Sequence, residues 1–366
     1  MIRKISAVKL SQLKTTFITS KRLLNLIWLV DKKLFLATGV AAVIPAIVPF
    51  INVYIYKLVI DFVVEAVSSG FFEISRLYPL LLLRIFTYFI QDAAFSTQTF
   101  VNTAFWLKVP IFLGQLIYQK TSSLDIQYFE DSKFQDLLEK ARQSQVFRPQ
   151  QLIQNLFFGL QSTVSVIIAL VAIINLNWFL GFLVILVAIP EFINESQRSK
   201  IAYGIWDANA SQRKRHGYLS AMLQHPRNAK EIKIFRLAKN FLFEIKSIQE
   251  KFAWENIKLT RNNYFFNLLF NGLSTAVFIG IEIFIIFEAL AKRVTIGDIG
   301  FYTGVVNQFQ NGLGGLFRNL SGVYEQSLYV KSIFELIDTK PIIKEIKNPL
   351  ILNTKKPHKI EFKNVT

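Results

Sequence analysis

The sequence has no cysteine, only two methionines and only three histidines among 366 residues. The first absence excludes a disulfide framework, a thiolate nucleophile and a Cys-type zinc site, and His216, His225 and His358 stand at no metal-ligand spacing. No Gly-x-x-x-x-Gly-Lys-Ser/Thr loop occurs, so nothing in these residues cradles nucleotide phosphates or holds the magnesium that accompanies them. The carboxylates Asp92, Glu191 and Glu282 share no evident address, which leaves a paired-carboxylate enzyme without support. Residues 1–14 are basic and lack an apolar run ending in small residues. No cleavable signal peptide is read there, and the first span is expected to direct insertion.

What the chain does have is apolar bulk. Hydrophobic residues make up 52% of it, 35 of them phenylalanine, and the mean hydropathy is +0.35, which reads as a membrane protein rather than two or three soluble domains. The formal net charge of +17 raises the question of nucleic acid. The basic residues, however, avoid the apolar blocks and cluster at their ends and in the polar excursions, which is the positive-inside pattern. No nucleic-acid partner is expected.

Taken in order, residues 16–33 mix Leu23, Leu24, Ile27, Trp28 and Val30 with Lys21, Arg22, Lys32 and Lys33. They suit a helix in the cytoplasmic interface, and a soluble amphipathic helix is the plainer alternative. Residues 34–56 carry no charge and match the ~20 residues that cross a bilayer, with Pro45 and Pro49 expected to kink the span. A second block, 77–107, is interrupted by Arg84 and Asp92; such charges normally face a bundle interior or a watery cavity, as a pair or as a lining. Residues 108–148 form a first polar excursion with a helical phrase at 124–141. The uncharged run 149–190 is long enough for two spans and is expected to turn at residues 175–177. From Trp178 no proline beyond Pro190 breaks the chain before Pro226, so a helix of ~70 Å to Gln224 is expected.

The stretch 225–237, His-Pro-Arg-Asn-Ala-Lys-Glu-Ile-Lys-Ile-Phe-Arg-Leu, taken alone, reads as an ordinary amphipathic turn between two long helices; its flanking sequence favours a short docking helix. Pro226 suits a first turn, and Ala229, Ile232 and Phe235 recur at three-residue steps. The return helix has neither glycine nor proline over 238–271, and Phe241, Ile245, Ile248 and Phe252 follow a coiled-coil spacing. The fifth span is placed at 262–281, and Lys292, Arg293 and Asp298 in a brief external turn. In the sixth block, 299–317, Thr303, Asn307, Gln310, Asn311, Gly314, Arg318 and Ser321 share one helical face. A water-filled lining and close packing through small residues such as Gly300 and Gly304 explain that face equally well. Lysines and arginines in the leading segment and both excursions place both termini in the cytoplasm. Outer loops are expected to balance Asp61, Glu65 and Glu73 against Lys57 and Arg76. After Asp338 a linker, 339–358, leads to an alternating segment, 359–366, that reads as the opening strand of a further domain. The chain is therefore expected to be cut at a domain boundary, or to be completed by a separate subunit.

In this order and spacing the chain resembles the transmembrane half of type IV ABC exporters over almost all of residues 14–338. The phrase from Tyr128 to Ala141 is similar to the family's first intracellular loop, that from Asn228 to Leu237 to its second, and Thr295-Ile-Gly-Asp298 to the opening of its last helix. The resemblance implies an all-α membrane protein of six long transmembrane helices with cytoplasmic extensions and two coupling helices, an ABC transporter type 1 transmembrane domain. Its parts are a tail and elbow helix at 1–33, the transmembrane domain at 34–338, a linker at 339–358 and the first strand of a nucleotide-binding domain at 359–366. It also implies a domain-swapped dimer, identical or mixed, in the cytoplasmic membrane, with ATP and Mg2+ bound by the nucleotide-binding domain and no cofactor held here. On this resemblance Tyr128, Phe129, Asp131 and Phe134 belong to the first coupling helix, and Pro226, Arg227, Lys230, Glu231 and Phe235 to the second. Arg84, Asp92, Thr303, Asn307, Gln310, Asn311 and Gly314 are the cavity candidates. An ATP-independent channel or secondary carrier is the alternative. It predicts short cytoplasmic loops, internal repeats or helices broken at the midplane, none of which the sequence displays.

Overall fold

A computed structural model describes residues 10–70, 74–343 and 361–363, and every regular element among the described residues is helical. Helix α1 (Leu10–Val30), expected as an interfacial helix from residue 16, begins before that residue. Asp31 alone separates it from α2 (Lys32–Ser69): its backbone is extended, its Oδ1 accepts the Leu34 N–H at 3.1 Å, and its Oδ2 holds Lys108 Nζ at 2.7 Å. A short polar side chain that satisfies an otherwise unpaired N–H is what starts a helix. α2 continues through Pro45 and Pro49 and stops at Gly70, whose φ of 68° closes the last turn in the left-handed region. Asp61 and Glu65, expected in an outer loop, are thus on α2, and Glu73 lies outside the described residues.

α3 (Leu77–Ser122) runs well past Leu107, so the first polar excursion begins inside a continuous helix of 46 residues, ~69 Å long. The phrase 124–141, expected as one helix, is two, α4 (Ile126–Glu130) and α5 (Ser132–Ser144). Asp131 divides them: its extended backbone ends the first, and its carboxylate accepts the Lys133 N–H of the second at 3.1 Å. α6 (Arg148–Leu176) opens on Pro149, and α7 (Trp178–Ala208) follows across the expected turn, where Asn177 Oδ1 accepts the Phe179 N–H at 2.9 Å.

The fourth helix is not continuous to Gln224. Asn209 interrupts it between α7 and α8 (Ala210–Gln224), donating from Nδ2 to the Ile205 carbonyl at 3.0 Å and to Glu255 Oε2 at 2.6 Å. A side-chain amide that competes for a backbone carbonyl and finds a tertiary partner can interrupt a helix at a position where no proline stands. After a 3-10 turn at Pro226–Asn228 come α9 (Ala229–Ile234), α10 (Ala238–Leu290) and α11 (Ile296–Asp338). α10 is a single helix of 53 residues, ~80 Å, as the lack of glycine and proline in its first half predicts. Residues 361–363 have no regular structure; the rest of the expected strand at 359–366, and the linker beyond residue 343, lie outside the described residues.

Among the described residues four helices, α2, α3, α6 and α10, contain a stretch long and apolar enough to cross a membrane, and α7 adds a shorter apolar stretch, Trp178–Val187. The protein is a multi-pass membrane protein. α11 is not among the four, because amides and glycines dilute its middle. It is nevertheless the centre of the packing. Val330 and Phe334 join Leu23, Phe105 and Phe157; Val305, Val306 and Phe309 join Phe50, Ile173 and Ile285; Ile333 and Leu336 join Ile117 and Phe134.

Beyond the apolar stretches two legs project. In one, α8 is joined to α10 by Arg215–Glu244 at 2.5 Å, Lys251–Gln212 at 3.0 Å, Gln249–His216 at 3.1 Å and the Asn209–Glu255 contact. The seam residues Phe241, Ile245, Ile248 and Phe252 all turn inward, Ile248 being buried. Lys214–Asp136, at 3.4 Å, ties this leg to α5 of the other.

At the C-terminal end of α11, α1 and α11 are clamped. Arg22 makes two parallel bonds to the Asp338 carboxylate at 2.5 and 2.6 Å and stacks over the Phe334 ring at 4.4 Å. The hydrogen bond from Arg22 holds the Asp338 carboxyl below its ordinary range. A carboxylate lowered on folding stabilises above its unfolded pKa, and that contribution is lost as pH falls through the folded value. Thermal melting of Arg22→Gln is expected to lose this acid-side dependence. Replacing the buried Phe105 by alanine is expected to cost ~3–5 kcal/mol, whereas the same change at Phe243, 76% exposed, stays within about 0.5 kcal/mol. Melting of the purified protein in one detergent compares the two, and equal losses would contradict the packing described.

Candidate functional site

Each polar excursion ends in a tip, and the two tips are built differently. In the first, Phe134 is buried beside Ile117, Leu124, Ile333 and Leu336, with the Tyr128 and Phe129 rings at 5.1 and 5.8 Å from its own. Phe134 and Asp131 thus build the tip, while Phe129 and Ile126 are exposed on its surface. Tyr128 is half-buried and donates its hydroxyl to the Lys340 carbonyl at 2.8 Å.

In the second tip the expected single apolar side does not form. Ile232 is buried, whereas Ala229 and Phe235 are exposed, because α9 is only six residues long and Phe235 sits at its end rather than within it. Arg236 adopts φ 52°, and the Leu237 N–H reaches back to the Ile232 carbonyl at 3.0 Å, so the chain turns sharply into α10. Ile234 and Phe235, 73% and 68% exposed, form an apolar prominence, and Pro226, Arg227, Lys230 and Glu231 are exposed around it. Large apolar side chains grouped in this way give the tip an open apolar surface.

The polar face of α11 divides. Asn307, Asn311 and Arg318 are exposed; Thr303, Gln310 and Gly314 are half-buried; Ser321 is buried within the chain. Gly300 and Gly304 pack on Tyr56, Ile60 and Val53 of α2, so the small residues serve close packing while the long amides face outward. Arg84 and Asp92 are not joined. The Arg84 guanidinium lies 4.9 Å over the Tyr56 ring and 5.8 Å from the Tyr88 ring, and Asp92 is exposed. Other polar groups in this region pair across helices: Asn52 with Thr87 and, at 3.2 Å, Gln91, and Gln98 with Gln161 at 3.3 Å. Further in, a cavity of ≈ 310 Å³ opens beside the Asn209 break, with Arg148, Glu255 and Glu325 in its wall.

One cluster has no counterpart in the sequence reading. Asp298, expected in an external turn, is buried in the first turn of α11, where it forms a reciprocal cap with Thr295 and pairs with Lys57 Nζ at 2.5 Å. Asp61 of α2 completes the arrangement, accepting the Gly297 N–H at 2.9 Å and the Thr295 hydroxyl at 3.0 Å. The capping signal Thr-x-x-Asp is legible in sequence; the contribution of Asp61, 236 residues away, is not.

No family model matches the sequence. Two curated relatives do: the subtilin transport ATP-binding protein SpaT of Bacillus subtilis, 22% identical over 98% of this chain and 58% of its own length, and the nisin transport ATP-binding protein NisT of Lactococcus lactis subsp. lactis, 20% identical over 92% and 55%. Among solved structures, a bacterial Atm1-family ABC exporter with ATP bound superposes with a TM-score of 0.66 at 15% identity, covering 88% of this chain and 57% of that one. The fold is that of an ABC exporter transmembrane domain. The chain spans little more than half the length of each of these proteins. Within this exporter fold both tips and the amide face of α11 carry exposed side chains.

A Cβ on Gly297 would stand 2.5 Å from both Asp61 Oδ1 and the Lys57 carbonyl. Gly297→Ala is therefore expected to lose ~1–3 kcal/mol through displaced backbone, whereas Gly272→Ala, with open space around it, gains up to about 1 kcal/mol from helix propensity. Melting midpoints falling in the same direction would count against the cluster around Asp61.

Proposed function

We propose that this chain is the transmembrane subunit of an ATP-driven exporter, working by alternating access between an inward-open and an outward-open state. The observation that carries this reading is the pair of long legs ending in exposed apolar side chains, Ile126 and Phe129 on one and Ile234 and Phe235 on the other. Such levers suit a protein moved from outside the bilayer, and a passive pore has no need of them.

In this reading α2, α3, α6, α7, α10 and α11 supply six spans, with both termini on the cytoplasmic side of the plasma membrane. Two transmembrane subunits enclose the cavity, and the exposed Asn307, Asn311 and Arg318 face it rather than lipid, where their unpaired polar atoms would be costly. ATP and Mg2+ are bound by nucleotide-binding domains, onto which the tips dock. Binding of ATP brings the legs together and turns the cavity outward; hydrolysis and release reset it. SpaT and NisT are named for the transport of subtilin and nisin, and a cargo of that kind is the one proposed here.

The test uses the transporter reconstituted with its ATPase domain. Phe235→Ala removes an exposed side chain and leaves folding intact, yet as a docking anchor it is expected to weaken coupling by ~2 kcal/mol, lowering both cargo-stimulated ATP turnover and transport. Unchanged values of both would remove the second tip from the mechanism.

A further inference from the structure

Asp125 stands at the N-cap position of α4 with the extended backbone, φ −67° and ψ 150°, that usually lets a carboxylate accept an N–H of the first turn. Asp31 and Asp131 cap their own helices in that way. Asp125 does not: it makes no capping bond, and its Oδ2 instead accepts the N–H groups of Ile342 at 2.5 Å and Ile343 at 3.0 Å, more than two hundred residues further on. One turn along α4, the Tyr128 hydroxyl donates to the Lys340 carbonyl at 2.8 Å. Thr339 caps α11 with its N–H on the Leu336 carbonyl, and residues 340–343 beyond it have no regular secondary structure to supply partners for their backbone groups. Immediately before Thr339 the Arg22 fork fixes Asp338. The path of the backbone from 338 to 343 is thereby set by α1 on one side and α4 on the other.

We propose that Asp125 and Tyr128 are positioning residues that clasp the segment following α11, so that the first tip and the chain leading away from Ile343 move as one body. The helix α5 behind the clasp is packed through Phe134 against Ile333 and Leu336 of α11. A displacement delivered at Ile126 or Phe129 therefore reaches the backbone at 340–343 within the same chain and does not have to travel up the leg and return. A carboxylate that takes two successive N–H groups is a stronger and more directional hold than a neutral contact. This role rests on the reading that the tips receive motion from ATPase domains.

The absence of native cysteine makes the test direct. Spin labels are placed on cysteines introduced at Gln127 and Ile343 in the reconstituted transporter with its ATPase domain, and the interlabel distance is compared between the parent, Asp125→Asn, Tyr128→Phe and Asp125→Glu. A narrow distance distribution is expected in the parent and a broadened one in Asp125→Asn and Tyr128→Phe. Cargo moved per ATP hydrolysed should fall about tenfold in Asp125→Asn, the scale of one charge-assisted hydrogen bond, with partial recovery in Asp125→Glu, which keeps the carboxylate. A distribution that stays narrow in Asp125→Asn and Tyr128→Phe overturns the clasp. Broadening with unchanged cargo per ATP overturns its positioning role. A parent whose ATP turnover ignores cargo altogether refutes the exporter reading instead, and the distance measurement still decides whether the clasp exists.

Discussion

The structure depends on keeping one imperfectly apolar helix straight. α11 reaches all three apolar clusters, yet it carries glycines on two sides and amides along a third, and it is the long helix least able to hold its place by grease alone. It is fixed at its ends. At one end the Lys57–Asp298 pair and the Asp61 carboxylate seize its first turn; at the other the Arg22 fork seizes its last residue. Between these anchors the glycines let α2 and α6 approach closely, as Gly304 does against Val53 and Gly315 against Ser162. Close backbone packing then supplies what side-chain hydrophobicity cannot supply in lipid.

Because α11 is held in this way, one of its faces is free to be polar. Asn307, Asn311 and Arg318 are left open while the neighbouring Val305, Val306 and Phe309 are fully packed. The amides deeper in the bundle, such as Asn52 with Gln91, are satisfied across helix pairs and contribute to assembly instead. Polar residues in this protein thus fall into two groups, those that join helices and those that remain available, and burial separates them better than residue type does.

The legible parts of the fold are those dictated by local chemistry. Asn177 turns the chain, Pro226 opens a turn, and a stretch free of glycine and proline, 238–271, carries the first part of the 53-residue α10. Several of the illegible parts involve a partner far away in sequence. Asn209 breaks a helix because Glu255 receives its amide, Asp125 abandons its own helix for Ile342 and Ile343, and Asp61 caps a helix 236 residues distant. The same distinction runs through the candidate site. The positions of both tips follow from the pattern of charge and hydrophobicity, whereas the inward turn of Ile232 and the outward one of Phe235 follow from a left-handed residue, Arg236, that is not a glycine.

The break at Asn209 has a consequence for how such a chain can drift in length. α9 hangs between α8, which begins at that joint, and α10, which has none, so the height and bearing of the tip follow α10. One residue added to α10 would rotate everything beyond it by about 100° and shift it by ~1.5 Å. The same insertion beside Asn209 has an irregular residue to absorb it. Indels along this arm should therefore gather at the joint and be purged from the unbroken strut opposite it.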